Sequence, residues 1–570
     1  MIDPDHPDYT NTPVSPRRPP FGYIPADPTS PPAASILTTF FNTGPVFHET
    51  AQSVMQQSLQ QWEWLIVNDC STSTESLSIL DHYRRLDPRI HVIDHPQNKG
   101  PAAARNTGFA AAQTDIVVQL DSDDLLEPTA VEKWVWLLTS YPEYAFANGY
   151  SVLFQARQSL FNTGFSSPRA FLLENEMLAT CAVRASVHRA IGGYDETIHN
   201  GFDDADFWLR CANAGRWGAR IPEYTDWYRQ RENHGDRWLG VRSSEHTRRA
   251  RQDFYKRYPR LWQENSFPSI PIQPHLPYAS IPTTLPCANQ LRKEKSRLLM
   301  LTGKTDNGGL AQEHDTLEQF VHQNWEVSIV VADGDSSCLP VFTQHTPDVF
   351  VLPNFLRSVD YPRFLRYLIQ SRQVDAVVLF SAELGYLLLP YLRSCAPQTR
   401  FIAFCNADET AHDDLTRLTV AYQPLLDLII VPSDRSKRRL MEDGVAADCI
   451  TVCDTNGVSQ SEDRGIVPLV SKLTQSAAHD TRAIPAIEIG QLFAFLAVEH
   501  VRRTADPRGP IDATSQTRQP VNPIARALKG LLNRFVLWSV YPDPRLATLV
   551  RLSKRLVPTA LKVALKRRAK

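Results

Sequence analysis

The chain has 570 residues, so length alone implies about three or four domains. With 42% apolar and 21% charged residues it has the composition of an ordinary soluble globular chain, and a net charge of −2 supplies no drive toward nucleic acid. Nine scattered cysteines, whose only close pair is Cys449 and Cys453, argue against a disulfide framework or a cysteine zinc site and for a reducing compartment. No apolar run approaches about 18 residues and no signal-peptide pattern opens the chain, so neither a membrane-spanning helix nor a leader is expected.

Residues 1–34 hold ten prolines and read as a disordered or polyproline arm, either a docking segment or a plain tail. Ser35–Phe41 reads as a strand, Asn42-Thr-Gly44-Pro as its loop, and Phe47–Leu59 as a helix. Trp64–Asp69 is a second strand, followed by Cys70-Ser-Thr-Ser-Thr, whose hydroxyls can cap the next helix. Ile90–Ile93 is a third strand. Gly100–Ala112 is a helix opened by Asn98-Lys-Gly-Pro101, with proline at an early position. Ile116-Val-Val-Gln-Leu is a short buried strand that ends in Asp121-Ser-Asp123-Asp124.

Asp121 and Asp123 are two apart, so an extended backbone points them the same way. Carboxylates that converge need a cation, and a hard divalent ion such as Mg²⁺ or Mn²⁺ suits oxygen ligands and leaves room for substrate phosphates. By spacing alone the stretch is either such a site or a solvated acidic turn that caps the next helix. The alternation of strand and helix implies an α/β fold with a parallel, Rossmann-like sheet. Ligands bind beyond the carboxyl ends of such strands. Asn42, Asp69, Asp121 and Asp123 all fall there.

Thr38-Thr-Phe-Phe-Asn42, Ile66-Val-Asn68-Asp69-Cys-Ser, Asn98-Lys-Gly-Pro-Ala-Ala-Ala-Arg105-Asn106-Thr-Gly108 and Leu120-Asp-Ser-Asp-Asp124 occur in this order. Together they resemble the motif series of family 2 glycosyltransferases, which have the GT-A fold, over residues 35–265. The resemblance implies that Thr39, Phe41 and Asp69 hold the nucleotide base and that Arg105 lies near the base or the phosphates. It implies Asp121 at the ribose or the metal, and Asp123 on the metal that bridges the diphosphate. The sequence departs from the family at Phe41, where tyrosine is usual, at Asn68, where aspartate is common, and at Cys70, where glycine is usual. Strand-end packing is the alternative reading for Thr39 and Phe41.

Gly201-Phe-Asp203-Asp204-Ala-Asp206 opens a helix that runs to about Asn213. Carboxylates suit a helix N-terminus by themselves. The position resembles the family's Glu-Asp motif, which implies that Asp204 is the general base and that Asp203 fills the glutamate position; Asp206 reads as structural. His234 is either a further metal ligand, as a histidine is in many GT-A enzymes, or a surface residue. Gln230 and Arg237-Trp238 lack the spacing of processive synthases, so a single addition is expected rather than polymerisation.

Residues 266–295 carry six prolines and a basic end, and read as a linker. From Leu298 strands recur at 327–331, 349–352, 376–380, 401–404 and 428–431 with helices between, a second parallel α/β unit over 296–505. Asn307-Gly308-Gly309 sits in its first strand-to-helix turn, a place for an anion. With Pro432-Ser-Asp434 and Asn456-Gly457-Val458 the unit resembles the N-terminal half of a family 4, GT-B glycosyltransferase. Glu488 and Glu499 lack the spacing of that family's donor motif, which implies an incomplete and catalytically silent second transferase. Residues 506–523 read as a linker. The last 50 residues hold twelve Lys/Arg and one acidic residue, so 524–570 read as a basic amphipathic helical tail, bound to an anionic membrane surface or merely solvated.

The expected function is therefore an inverting, metal-dependent transfer of sugar from a nucleotide-diphosphate donor, a UDP-sugar, to a hydroxyl of a cell-surface or lipid-linked glycan. Its expected place is the cytoplasm, at the inner face of the cell membrane. The rival readings are a nucleotide-sugar or glycan-binding scaffold without turnover, and activity seated in the second unit.

Overall fold

The structure is a computed structural model. It describes residues 22–156, 159–161, 171–172, 177–198, 201–231, 244–263, 267–268, 284–303, 309–332, 336–405, 414–453 and 466–475. His234, the Asn307-Gly308 turn, Asn456–Val458, Glu488, Glu499 and the basic tail lie outside the described residues.

The first sheet takes β1 (Ala34–Phe40), β2 (Trp62–Asn68), β3 (Ile90–Asp94), β4 (Ile116–Gln119), β5 (Leu125–Leu126), β6 (Phe146–Gln155), β7 (Ser159–Phe161), β8 (Cys181–Arg184) and β9 (Ala219–Gln230). Its order is β3-β2-β1-β4-β8-β6-β9-β5, with β7 on β6. The first four strands are parallel, as the alternation of elements requires. Past β4 the sheet turns mixed: β8 runs antiparallel to β4 and β6, and β9 runs parallel to β6. The long β9 and the short β5 and β8 carry no clear periodicity, so the sequence did not announce them.

Helices α1 (Phe47–Met55), α2 (Thr74–Leu86), α3 (Pro101–Ala111), α4 (Ala130–Ser140) and α5 (Asp203–Asn213) flank this sheet. Helix α3 lies so close to β1 that a Cβ on Gly108 would come within 1.9 Å of Leu37 Cδ1. Phe47 on α1 stacks on Trp64 of β2 at 5.5 Å and meets Phe40 and Tyr83 edge-on. These contacts hold the ends of β1 and β2 in place.

The second sheet takes β10 (Arg297–Thr302), β11 (Glu326–Val331), β12 (Val349–Val351), β13 (Ala376–Phe380), β14 (Arg400–Phe404), β15 (Leu428–Val431) and β16 (Ile450–Val452). It is parallel throughout, in the order β12-β11-β10-β13-β14-β15-β16. Helices α6 (Gly309–His322) and α7 (Tyr361–Arg372) belong to it.

The described residues up to Arg231 and from Phe254 onward cluster as one compact unit that contains both sheets, and Ser244–Asp253 falls outside it.

The two sheets share a joint built on α4 and α7. Helix α4 is buried along nearly its whole length, charged residues included. Glu132 and Arg372 are fully enclosed and form a two-toothed pair, both bonds 2.7 Å. Arg372 also reaches Asp348 at 2.8 Å, so one guanidinium serves two buried carboxylates. Ser58, Tyr367, Ser328 and Tyr23 hydroxyls donate to the same carboxylates. Trp136 on α4 packs edge-on against Phe364 on α7.

Parts of the two proline-rich segments are built into this joint. Tyr23, from the expected arm, is buried. Asn289, from the expected linker, accepts from the Gln60 amide and donates to the Ser58 carbonyl, and Leu291 is wholly enclosed. Among the described residues of these segments, proline content did not bar burial. Among the described residues no helix is long and apolar enough to cross a membrane.

Two outcomes test this packing. Arg372→Met leaves Glu132 and Asp348 buried without their partner and should cost about 3–5 kcal/mol. Denaturant unfolding should show the loss with probes in either sheet. Gly108→Ala should cost about 1–3 kcal/mol by overpacking against Leu37, read as a lower midpoint in the same experiment.

Candidate functional site

The carboxyl ends of β1, β2 and β4 lie side by side, because β1 pairs with both others. Beyond β1 the chain turns at Asn42, whose φ of 49° is left-handed. Asn42 Oδ1 accepts from the amides of Thr72 and Ser73, both at 2.9 Å, so it ties the loops after β1 and β2 together. Thr39 and Phe41 flank the same end, each partly exposed.

At the end of β2, Asn68 uses both halves of its amide. Its Nδ2 donates to Asp94 at 2.8 Å and its Oδ1 accepts from the Ser71 amide. An aspartate could not donate, which gives this departure from the family pattern a local reason. Cys70 has φ of 60°, the region glycine adopts at least cost, and that explains why glycine is usual at the position.

Asp69 is buried. Its Oδ1 meets His95 Nδ1 and the Lys99 amide, both at 2.8 Å, and its Oδ2 accepts from the Gly100 amide at 2.7 Å. The carboxylate is thus locked against the turn that starts α3. His95 Nε2 reaches Thr107 Oγ1 at 2.9 Å and closes the lock from the helix side.

The acidic end of β4 sorts into different environments. Asp124 is buried and accepts from the Arg229 amide at 2.8 Å. Burial, together with the charges of Asp123 and Asp121, holds its carboxyl well above the ordinary range. Ser122 turns inward to Thr43. Asp121 and Asp123 are left with 35% and 26% of their side chains exposed. Burial pushes the Asp123 carboxyl up, against the pull of Arg231, and the neighbouring Asp121 adds to the rise. Carboxylate oxygens crowded together at a strand end fit a hard divalent cation.

Arginines surround these carboxylates. Arg231 Nη2 lies 2.7 Å from Asp123 Oδ2. Arg229 donates to the Asp123 carbonyl and to Glu49 on α1. Arg105, on the buried face of α3, donates to Asp121 at 3.1 Å and to Asp203 at 2.5 Å. Burial opposes the charge on Arg105, but Asp121 and Asp203 outweigh it and hold the guanidinium above its ordinary value. Its guanidinium also sits 5.4 Å from the centre of the Tyr194 ring.

Asp203 and Asp204 open helix α5, as the carboxylate pattern predicts. Asp203 is buried against Arg105, whereas Asp204 is partly exposed and its Oδ1 accepts from the Ala205 amide. Asp206 is enclosed and holds Arg210 and Tyr258, a packing role.

The structure therefore gathers Asp121, Arg105 and Asp203 in direct contact, with Asp123 two residues beyond Asp121 and Asp204 next to Asp203. Thr39, Phe41 and Asp69 stand at neighbouring strand ends. Glu49, Tyr194, Arg229 and Arg231 were missed by sequence reading. The arginines alternate along β9 toward its end, and that is the only signal they left. Asn106 is another. Its amide donates to the Tyr194 carbonyl and to Glu196 and accepts from the Tyr194 amide, so it anchors the loop that carries Tyr194.

Comparison with known proteins finds a family match in the part of the chain that holds β1 to β7. Residues 35–166 match the family model described as Glycosyl transferase family 2. The chain is 37% identical over 125 residues to the putative teichuronic acid biosynthesis glycosyltransferase TuaG of Bacillus subtilis (strain 168), a stretch covering 22% of this chain and 49% of that one. The chain thus spans about half the length of that relative. It is 33% identical over 200 residues to the O-antigen biosynthesis protein RfbC of Myxococcus xanthus, covering 34% of this chain and 15% of that one. The crystal structure of S. aureus TarS 1–349 in complex with UDP-GlcNAc resembles it with a TM-score of 0.33 and 15% identity, over 40% of this chain and 72% of that one. The first sheet is a Rossmann-like GT-A core. The matched span lies wholly within it, and the likeness of the second sheet to family 4 is not part of that match.

His188 gives this site a pH dependence. It stacks on Phe109 at 3.9 Å and its Nε2 bonds Asn106 Oδ1. Burial, and then Arg210 and Arg189, push it down from the ordinary 6.5 to about 4. Below pH 6.5 the unfolded chain takes a proton that the folded one refuses, so the contribution to stability is full above 6.5 and lost as pH falls toward 4. The melting temperature should drop between pH 7 and pH 5, and His188→Phe should show a clearly smaller drop.

Proposed function

We propose that this chain, with a family 2 glycosyltransferase domain in residues 35–166, is an inverting, metal-dependent glycosyltransferase. It moves a sugar from a nucleotide-diphosphate donor, a UDP-sugar, to a hydroxyl of a cell-surface or lipid-linked glycan. One observation carries this reading. Arg105 joins Asp121, at the donor end of β4, to Asp203, the residue beside Asp204 on α5. This pair of bonds brings the end of β4 and the start of α5 together, which supports reading the donor carboxylates and the acceptor-side base as parts of one site.

Each residue then has a task. Asp69, acceptor-only and with one bond on Oδ2, selects a base edge that presents an N–H, and Thr39 and Phe41 border the base. Asp121 and Asp123 would hold Mn²⁺ or Mg²⁺, which would supply charge neutralisation for the leaving diphosphate. Arg105 stays charged throughout and steadies the developing negative charge. Asp204 takes the proton from the acceptor hydroxyl. The acceptor oxygen then bonds the anomeric carbon as the carbon–phosphate-oxygen bond breaks, and the nucleoside diphosphate leaves with the electron pair. One displacement inverts the centre. His234 is the further ligand this reading assigns to the metal.

For the second unit we keep the reading of a silent family 4 half. Its support is the unbroken parallel order of seven strands and the joint that makes it a rigid neighbour of α4. The acceptor glycan and, through the basic tail, an anionic membrane surface are the partners this reading assigns.

Calorimetry and a donor-turnover assay test the proposal on the full chain. Asp204→Asn should lower kcat by about 10²–10⁴ and leave UDP affinity within about twofold of the parent. Asp123→Ala should abolish the Mn²⁺-dependent part of UDP binding. Turnover that survives Asp204→Asn removes the base assignment, and UDP binding indifferent to both Mn²⁺ and Asp123 removes the metal assignment.

A further inference from the structure

We propose that the second sheet carries a transition-metal site, best suited to Zn²⁺, formed by His314, Glu318 and His345. The site is separate from the carboxylates at β4 and does not depend on the glycosyltransferase reading.

His314 and Glu318 stand one turn apart on α6, so their side chains share a face. One ligand atom from each of His314, Asp315 and Glu318 falls within 4.8 Å of the others. His345 arrives from 31 residues away, and its Nε2 lies 3.0 Å from His314 Nε2. Two ligands of a tetrahedral zinc with bonds of 2.0–2.1 Å stand roughly 3.3 Å apart. The two nitrogens thus need only a few tenths of an ångström of adjustment to share an ion.

Both imidazoles ride on anchored backbone. His314 is followed on α6 by Leu317 and Phe320, which are wholly buried in the core of the second sheet. The turn of His345 is held by its own amide to the Phe342 carbonyl and by Thr346 Oγ1 to the Val327 carbonyl at 2.7 Å. Ligands fixed this way lose little freedom on binding.

The surroundings also suit neutral imidazole ligands. Asp315 Oδ1 lies 3.6 Å from His314 Nδ1, on the ring edge opposite His345. A small rotation lets it accept that N–H and leaves Nε2 as the lone pair, the usual support for a metal-bound histidine. His322 Nε2 is 3.4 Å from Glu318 Oε1, so the fourth position falls to His322 or water. Two imidazoles and a carboxylate favour zinc over Mg²⁺ or Mn²⁺, whereas the paired carboxylates at β4 favour the harder ions. When filled, the site clips α6 to the turn that precedes β12, at the edge of the second sheet.

The test is calorimetric titration of chelator-treated full chain with Zn²⁺, repeated for His345→Gln, His314→Gln and Asp123→Ala. One equivalent should bind, weakened at least about tenfold in either histidine variant and unchanged in Asp123→Ala. Co²⁺ should give tetrahedral d–d bands without thiolate charge transfer. No stoichiometric binding, equal binding in His345→Gln, or thiolate bands that assign the ion to cysteines would each overturn the proposal. Circular dichroism confirms that each variant is folded. If His314→Gln unfolds, His345→Gln alone decides.

Discussion

The site depends on a guanidinium that cannot lose its proton. Arg105 is buried between Asp121 and Asp203, and each carboxylate needs it as much as it needs them. An unpaired charge in that position would cost several kcal/mol, so the three groups hold one another in place. Because they sit on α3, at the end of β4 and at the start of α5, they tie together segments nearly a hundred residues apart. Asp69 does the same on a smaller scale, where one carboxylate organises the turn into α3 through three donors. The charged groups that the proposal assigns to a nucleotide are thus also the groups that hold these strand and helix ends together.

A second buried charge cluster plays the structural counterpart. Glu132, Arg372 and Asp348 have no exposed surface and are fed by four hydroxyls. A hydrophobic joint of similar volume would hold two sheets equally well. What the polar one adds is direction: the fork of Arg372 accepts only one relative placement of α4 and α7. That placement draws in Tyr23 and Asn289 from segments whose composition suggests only tail and linker. The two sheets accordingly behave as one compact unit.

The departures from the family pattern are explained by the same logic of local satisfaction. Asn68 is needed as a donor to Asp94. Cys70 tolerates a left-handed backbone that glycine would adopt more easily. These two changes are absorbed around the end of β2, and neither residue bonds Asp121, Asp123 or Arg105. Drift at the edge of a site is therefore compatible with an intact charge core.

Much of this protein was legible in its residues alone. The strands of both sheets up to β4 and from β10 to β15, the helix opened by Asp203, and the gathering of Asp69, Asp121 and Asp123 at strand ends all follow from hydrophobic period, turn chemistry and the rule that parallel strands present their carboxyl ends together. These are local signals that recur within a few residues. What the sequence could not show is which distant charges meet. That Arg105 spans Asp121 and Asp203, that Arg231 faces Asp123, that Arg372 enters α4, and that a proline-rich segment can be buried are outcomes of long-range packing. They turn on the position of single side chains to within an ångström, and no spacing along the chain encodes that. Sequence decided which chemistry is present; the tertiary structure decided which charges stand against each other, because burial makes an unpaired charge costly and leaves few ways to pair them all.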